Sequence, residues 1–258
     1  MIIRDEPGGM LLIPQTEHSQ FVGQLAAHWG NERFAVPAPF ESVARAATYH
    51  DYGYLDWEPD VPFDASTGRP YEFRKLPAGE RRLLAYRHCI DWISSIDAYS
   101  GLLVSMHRTG LWKNRYGAID HPAMSGARRH GEDVDIFIDR AEAEQKASSQ
   151  RFDARVLRIN FHLLQVWDLL GLFFGCQEPG EDRIEPVPTG YADEPSVSLS
   201  MKNLGGGRVA FEPFPFDRHG LTVQMRGKRL AEPSYEDEKS FRSAWYRAPN
   251  VLLEYELV

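Results

Sequence analysis

The residues of this sequence with the most obvious chemistry are an adjacent histidine and aspartate, His50 and Asp51, at the end of a predicted helix. The apolar stripe of that helix runs from Phe40 to Ala47, and three or four further positions reach both residues, so both are expected on its buried side. A divalent metal ion would satisfy a buried imidazole and carboxylate, and these donors suit iron, manganese or zinc. The alternative is a His–Asp pair that bonds to nearby backbone at the helix end.

Three further histidines fall on predicted apolar stripes. His18 shares the apolar face of a first helix, and His88 and His107 lie four residues after Leu84 and Leu103. Helical periodicity therefore predicts that all three imidazoles face the interior. A single inward histidine is commonly a hydrogen-bonded core residue, whereas several together favour a metal site.

Asp168 is the acidic residue whose placement is most unusual. It lies in the segment 163–174, which is apolar nearly all round and is therefore expected to be central. An unpaired carboxylate there would be costly to bury or would take up a proton. The sequence favours a shared metal ion over the alternative, a salt bridge to a buried arginine such as Arg87 or Arg155.

In chain order, these residues form a pattern that resembles the HD-domain superfamily of helical metal enzymes, whose signature is His, His-Asp, two further His and Asp. The string Ala46-Ala-Thr-Tyr-His-Asp-Tyr-Gly53 is similar to the superfamily's apolar helix that ends in His-Asp-x-Gly. The resemblance covers residues 15–175. More narrowly, His50–Glu58 followed by Thr67–Tyr71 looks like an uncharacterised bacterial family inside or beside that superfamily.

The resemblance implies a ligand set for two divalent transition-metal ions, iron or manganese, with zinc as an alternative. The first ion would be held by the four-residue signature, and Asp51 would bridge to a second ion. The implied metal ligands are His18, His50, Asp51, His88, His107 and Asp168. Three other histidines compete for the second ion: His121, His130 and His162.

The resemblance also indicates residues that would act on a substrate. Asp51 would be catalytic as the bridging ligand, and Tyr54 stands where many superfamily members carry a substrate-contacting lysine. Arg87, beside His88, and Arg108, beside His107, are the first candidates to neutralise a phosphoryl group. Three arginines come next: Arg74, Arg81 and Arg82.

Three functions are compatible with this set. The first is a metal-dependent hydrolase that acts on a small phosphorylated substrate through a dinuclear site. The second is a diiron oxygenase of HD type that uses the same six ligands. The third is a non-catalytic sensor in which the metal site binds a small ligand.

Composition limits the partners. The net charge is −8 and the pI about 5.6, which argues against nucleic acid or an anionic membrane as the main partner. Two cysteines, and no evident signal peptide, predict a cytoplasmic protein. Homo-oligomerisation is left open.

The periodicity predicts a mainly α fold, an HD-like helical bundle with an N-terminal β-hairpin and a small C-terminal antiparallel sheet. Residues 1–176 would form the metal-binding domain, and 177–258 an acidic, proline-rich connection and a β appendage packed on it. About five short strands are expected, one of them over Phe241–Tyr246. The aromatic loop Trp57–Pro77 is either a lid or a structural plug.

Overall fold

The computed structural model describes residues 1–76, 79–119, 121 and 130–258. Seven α-helices lie in these ranges: α1 Gln15–Ala27, α2 Phe40–Tyr49, α3 Glu80–Ile96, α4 Ala98–Gly110, α5 Glu132–Ser149, α6 Ala154–Gly175 and α7 Glu238–Arg247. Short 3-10 turns cover Tyr52–Asp56, Glu58–Asp60 and Asn114–Gly117.

Seven of the nine strands form one curled sheet. The strands are β1 Ile2–Glu6, β2 Gly9–Ile13, β3 Phe63–Asp64, β4 Arg69–Pro70, β5 Glu181–Val187, β6 Val197–Gly205, β7 Arg208–Glu212, β8 Leu221–Leu230 and β9 Asn250–Leu257. The order across the sheet is β1-β2-β8-β9-β7-β6-β5, and β3 pairs only with β4. All neighbours are antiparallel except β7 and β9, which run parallel, so the sheet is mixed.

The prediction of a mainly helical bundle with a small antiparallel appendage is wrong. Helices contain 47% of the residues and strands 22%, and the large mixed sheet draws strands from both ends of the chain. The N-terminal hairpin joins it because β2 pairs with β8, Met10 opposite Leu230. All five residues of β2 are buried, which requires other parts of the protein to pack on both faces of this strand and along its edge.

Two local predictions are also corrected. The segment Phe241–Tyr246 belongs to helix α7 and not to a strand, because Asp237 and Ser240 form a capping box that begins a helix there. The acidic, proline-rich connection predicted at the start of 177–258 contains strand β5. In the aromatic loop, Pro77 lies outside the described residues, and the short β3–β4 hairpin occupies its middle.

Helix α6 is the centre of the main core. It packs against α1, α2 and α4, and its residues Trp167, Leu170 and Phe174 are fully enclosed. Among the described residues, α6 is also the one helix long and apolar enough to cross a membrane, but 72% of its most apolar window is buried inside the protein. A second, smaller core lies where Phe241 of α7 packs with Met10, Leu12 and Leu230.

The close approach of α1 and α2 places His18 beside His50. A Cβ atom added to Gly23 would lie 2.2 Å from Thr48 Oγ1 and 2.8 Å from Thr48 Cα, so glycine is needed at this crossing. One turn earlier on α1, the Ser19 hydroxyl donates to the Thr48 carbonyl oxygen at 2.8 Å. These two contacts set the spacing of the helices that carry the candidate ligands.

We expect Gly23→Ala to lower the free energy of unfolding by about 1–3 kcal/mol, because the added methyl group overpacks the α1–α2 crossing. The loss should appear even though alanine favours a helix over glycine by about 1 kcal/mol. Urea denaturation followed by circular dichroism measures it. The control is Gly180→Ala, whose Cβ would meet no atom within 4 Å. A Gly23→Ala variant more stable than the parent would contradict the packing account.

Candidate metal centre

His50 follows the last turn of α2 and is fully buried. Its Nδ1 lies 2.7 Å from the Ala47 carbonyl oxygen. Because a carbonyl oxygen only accepts, Nδ1 carries the ring hydrogen, and in the neutral ring Nε2 holds the lone pair. Nε2 has no hydrogen-bond partner in the described part of the chain.

Two carboxylate oxygens face this lone pair. Asp168 Oδ1 is 3.5 Å and Asp51 Oδ2 is 3.9 Å from His50 Nε2. Such an arrangement repels unless a cation, either a proton or a metal ion, lies among the three atoms. Burial alone would lower the pKa of His50, but Asp51 and Asp168 raise it above its ordinary value. A metal ion would therefore compete with a proton for this position.

His18 completes one group of ligands. Its Nε2 lies 3.1 Å from Asp168 Oδ1, and the ring fits because residue 171 has no side chain: a Cβ there would be 2.6 Å from His18 Cε1. When a tetrahedral metal ion binds its ligands at about 2.1 Å, any two ligand atoms lie roughly 3.4 Å apart. The distances from Asp168 Oδ1 to His18 Nε2 and to His50 Nε2 are close to this value. His18 Nδ1 has no described hydrogen-bond partner, unlike the second nitrogen of most metal-bound histidines.

Buried Arg108 holds Asp51. Its Nη2 donates to Asp51 Oδ1 and to the His50 carbonyl oxygen, while Gln15 Nε2 donates to Asp51 Oδ2 at 2.9 Å. Burial alone would raise the pKa of Asp51, but Arg108 and the neighbouring imidazoles lower it to about 2. Asp51 is therefore ionised at neutral pH.

Asp168 has an equivalent partner in Arg115, whose Nη2 donates to Asp168 Oδ2 at 2.7 Å. Burial alone would raise the pKa of Asp168, but Arg115 and the nearby histidines keep it well below its ordinary value. Arg115 lies in a turn where three consecutive residues have positive φ: Asn114 at 49°, Arg115 at 53° and Tyr116 at 52°. This conformation is strained for side-chain-bearing residues, so packing and the ion pair must stabilise it. Each carboxylate thus gives one oxygen to an arginine and turns the other toward His50.

The tautomer of His107 follows from its neighbours. Arg115 Nη1 donates to Gln165 Oε1, so the amide nitrogen of Gln165 is the group that faces His107 Nδ1, at 3.0 Å. A neutral imidazole has one lone pair, and that of His107 is at Nδ1, where it accepts from Gln165. Burial lowers the pKa of His107 well below its ordinary value, which keeps the ring neutral with a hydrogen on Nε2.

These observations favour one ion. Two groups have potential ligand atoms within 4.8 Å of one another: His18, His50 and Asp168, and His50, Asp51 and His107. Both need His50, which has a single free nitrogen, so they are alternatives and not two simultaneous sites. The second group also needs the lone pair that His107 already uses.

The predicted inward orientation of His88 is corrected, and with it the role of Arg87 as a candidate phosphoryl contact. Leu84, which defined the stripe of His88, is 48% exposed, and the buried face of α3 instead carries Ala85, Cys89 and Ile93. The His88 side chain is 66% exposed and pairs with Asp56, and Arg87 pairs with Glu144 on the surface. Neither lies with the other predicted ligands.

The other predicted residues are placed as follows. Tyr54 is buried and its hydroxyl bonds to that of Tyr86 at 3.1 Å. Arg155, the second predicted partner of Asp168, pairs with Asp193 on the surface. The three competing histidines lie elsewhere: His121 beside Asp182, His130 beside Asp135 and His162 on the Pro186 carbonyl oxygen.

Sequence reasoning missed three residues that bond to the predicted ligands: Gln15, Arg115 and Gln165. It named Arg82 only as a secondary candidate. Gln165 carried a signal, since it stands three residues before Asp168 in the same apolar helix. Arg115 carried none, because its approach depends on the left-handed turn.

A small cavity adjoins the cluster. It is lined by the carboxylates of Asp51 and Asp168, by His107 and by three buried arginines. Its apolar walls are formed by Phe73, Leu111 and Leu172. Its polar lining is Gln15, Asp51, Tyr54, Arg82, His107, Arg108, Arg115 and Asp168. Asp51, His107 and Asp168 therefore border a space lined by charged side chains.

We expect the ring nitrogens of His107 in metal-free protein to show the Nε2–H tautomer at neutral pH. Long-range ¹H–¹⁵N correlation spectra distinguish this from the Nδ1–H tautomer. Because burial holds its pKa far down, the His107 ring should stay neutral as the pH falls through about 6.5, where an exposed histidine gains a proton. An Nδ1–H tautomer for His107 would contradict the Gln165 assignment.

Comparison with known proteins gives a family but no described activity. No curated protein and no solved structure matches the chain, and nothing in the comparisons supports membership of the HD-domain superfamily. One family model, described as "Protein of unknown function (DUF3891)", matches residues 1–232. Because this match covers most of the sequence, the chain belongs to the DUF3891 family.

Proposed function

We propose that this protein is a metal-dependent hydrolase of a phosphate ester, with one divalent ion held by His18, His50 and Asp168 and with Asp51 beside it. The observation that carries the proposal is the position of His50 Nε2, which is buried, has no hydrogen-bond partner in the described part of the chain and faces two carboxylate oxygens. The Ala47 carbonyl oxygen accepts a hydrogen bond from His50 Nδ1. Metal-binding histidines are commonly oriented by such a bond from the nitrogen that does not bind the metal.

The charge of the cavity supports an anionic substrate. Three buried guanidinium groups, of Arg82, Arg108 and Arg115, face two carboxylates, which leaves one positive charge in excess among the described residues of the lining. A divalent cation would raise that excess by two. Buried positive charge is best compensated by an anion, and a phosphoryl group carries such charge into its transition state.

When bound, a divalent ion would lower the pKa of a water molecule and polarise a phosphoryl oxygen. The residues of the chain would do the rest. Arg108 and Arg115 keep the two carboxylates ionised and oriented, which makes them positioning residues. His107 offers a neutral N–H group, and Tyr54 a hydroxyl, to oxygen atoms of the substrate.

The placement of His88 separates this proposal from the diiron oxygenase. That alternative needs all six predicted ligands, but His88 is on the surface and the lone pair of His107 is already used. We propose that the likeness to HD-domain enzymes lies in the four residues His18, His50, Asp51 and Asp168 alone, as a shared way of holding a metal. A sensor would bind metal and ligand without turnover.

We expect purified protein to bind about one equivalent of manganese or zinc. His50→Ala removes a proposed ligand itself, so it should weaken metal binding by at least the roughly 10–100-fold that follows the loss of a residue that only orients a ligand. His50→Ala should also abolish manganese-stimulated phosphate release from a panel of phosphate esters. Isothermal titration calorimetry and phosphate release measure the two effects.

The matched control is His88→Ala, which removes an exposed imidazole and should leave both metal affinity and phosphate release unchanged. Equal metal affinity in His50→Ala and the parent protein would contradict the metal site. Metal binding without any phosphate release would contradict the hydrolase and favour the sensor.

A further inference from the structure

Arg82 is a buried cation with no acidic partner among the residues that the structure describes. Its side chain extends from α3, and the residue is only 3% exposed. Nε donates to the Tyr86 hydroxyl at 2.8 Å and Nη1 to the Leu76 carbonyl oxygen at 2.9 Å. Within the described ranges of the chain, no carboxylate lies within salt-bridge distance of Arg82, and Nη2 makes no hydrogen bond.

The other two buried arginines of the cavity differ in this respect. Arg108 is paired with Asp51 and Arg115 with Asp168. The Arg82 guanidinium instead lies near two aromatic rings, 5.2 Å from the centre of Trp112 and 5.5 Å from that of Tyr86. Aromatic faces stabilise a cation, but they do not neutralise it, so its charge is left for another group to balance.

Arg82 borders the same cavity as Asp51 and Asp168. Gln15 lies there too, and its Oε1 is buried without a hydrogen-bond partner while its Nε2 holds Asp51. The cavity therefore presents an unpaired guanidinium and an unpaired acceptor beside Asp51 and Asp168. Such a pair suits a ligand with one anionic oxygen and one hydroxyl group.

We propose that Arg82 binds a phosphoryl oxygen of the substrate through Nη2, and that the substrate is a small phosphate monoester. This rests on the proposed hydrolase for the reaction, but the anion site itself does not require the metal. A monoester fits better than a diester because it brings up to two negative charges at neutral pH, which compensates more of the three excess positive charges of the lining and a divalent ion together. The Gln15 carbonyl oxygen would accept from a hydroxyl group of the esterified alcohol.

The test uses inorganic phosphate with chelator-treated, metal-free protein. Titration followed by calorimetry or ³¹P NMR should show binding that Arg82→Met weakens on the order of 10–100-fold, the loss of a charge-assisted hydrogen bond. The control is Arg81→Met, which removes the neighbouring exposed guanidinium, whose nearest acid is Asp60 at 3.9 Å. Arg82→Lys keeps the charge and should retain weakened binding, which covers the case in which Arg82→Met does not fold.

The inference would be overturned if neither Arg82 variant changes the affinity for phosphate. It would also be overturned if Arg81→Met loses as much phosphate affinity as Arg82→Met, because general surface charge would then explain the binding. Metal content should be the same in Arg82→Lys and the parent. If the parent protein binds phosphate through Arg82 but binds no metal, the anion site stands and the hydrolase falls. With metal present, hydrolysis of diesters in preference to monoesters would contradict the substrate class.

Discussion

The hydrogen bond from His50 Nδ1 to the Ala47 carbonyl oxygen is the contact on which the site depends. It ties the ring to the end of its own helix and sends the other nitrogen into the interior, toward Asp168. Since α1 crosses α2 closely at Gly23, His18 reaches the same carboxylate from the other side. The positions of two candidate ligands, His18 and His50, therefore follow from one helix end and one helix crossing.

Buried arginines explain how two aspartates stay charged in an apolar core. An isolated carboxylate there would take up a proton, but Arg108 and Arg115 each bind one oxygen and lower the pKa of the group. The remaining oxygens point toward His50, which is the arrangement a metal ion needs. Arg82 is paired with no carboxylate among the described residues, so its guanidinium group leaves the cavity with an excess positive charge.

Helical periodicity identified four of the five residues that come together in the site: His18, His50, His107 and Asp168 lie on faces that are buried. The fifth, Asp51, was identified because it is adjacent to His50. The same reasoning failed for His88, since Leu84 is an exposed leucine and periodicity cannot distinguish that from a core one. The sheet was underestimated because pairing of β2 with β8 joins residues more than two hundred positions apart. Nor could spacing predict Arg115, whose reach depends on a left-handed turn.

Crystals soaked in zinc, with diffraction data collected on both sides of the zinc absorption edge, test the central claim most directly. The account predicts one anomalous peak, about 2.0–2.2 Å from nitrogen atoms of His18 and His50 and from Oδ1 of Asp168, with Arg115 still on Oδ2. The absence of a peak there would contradict it. A peak bound by His88 would do the same.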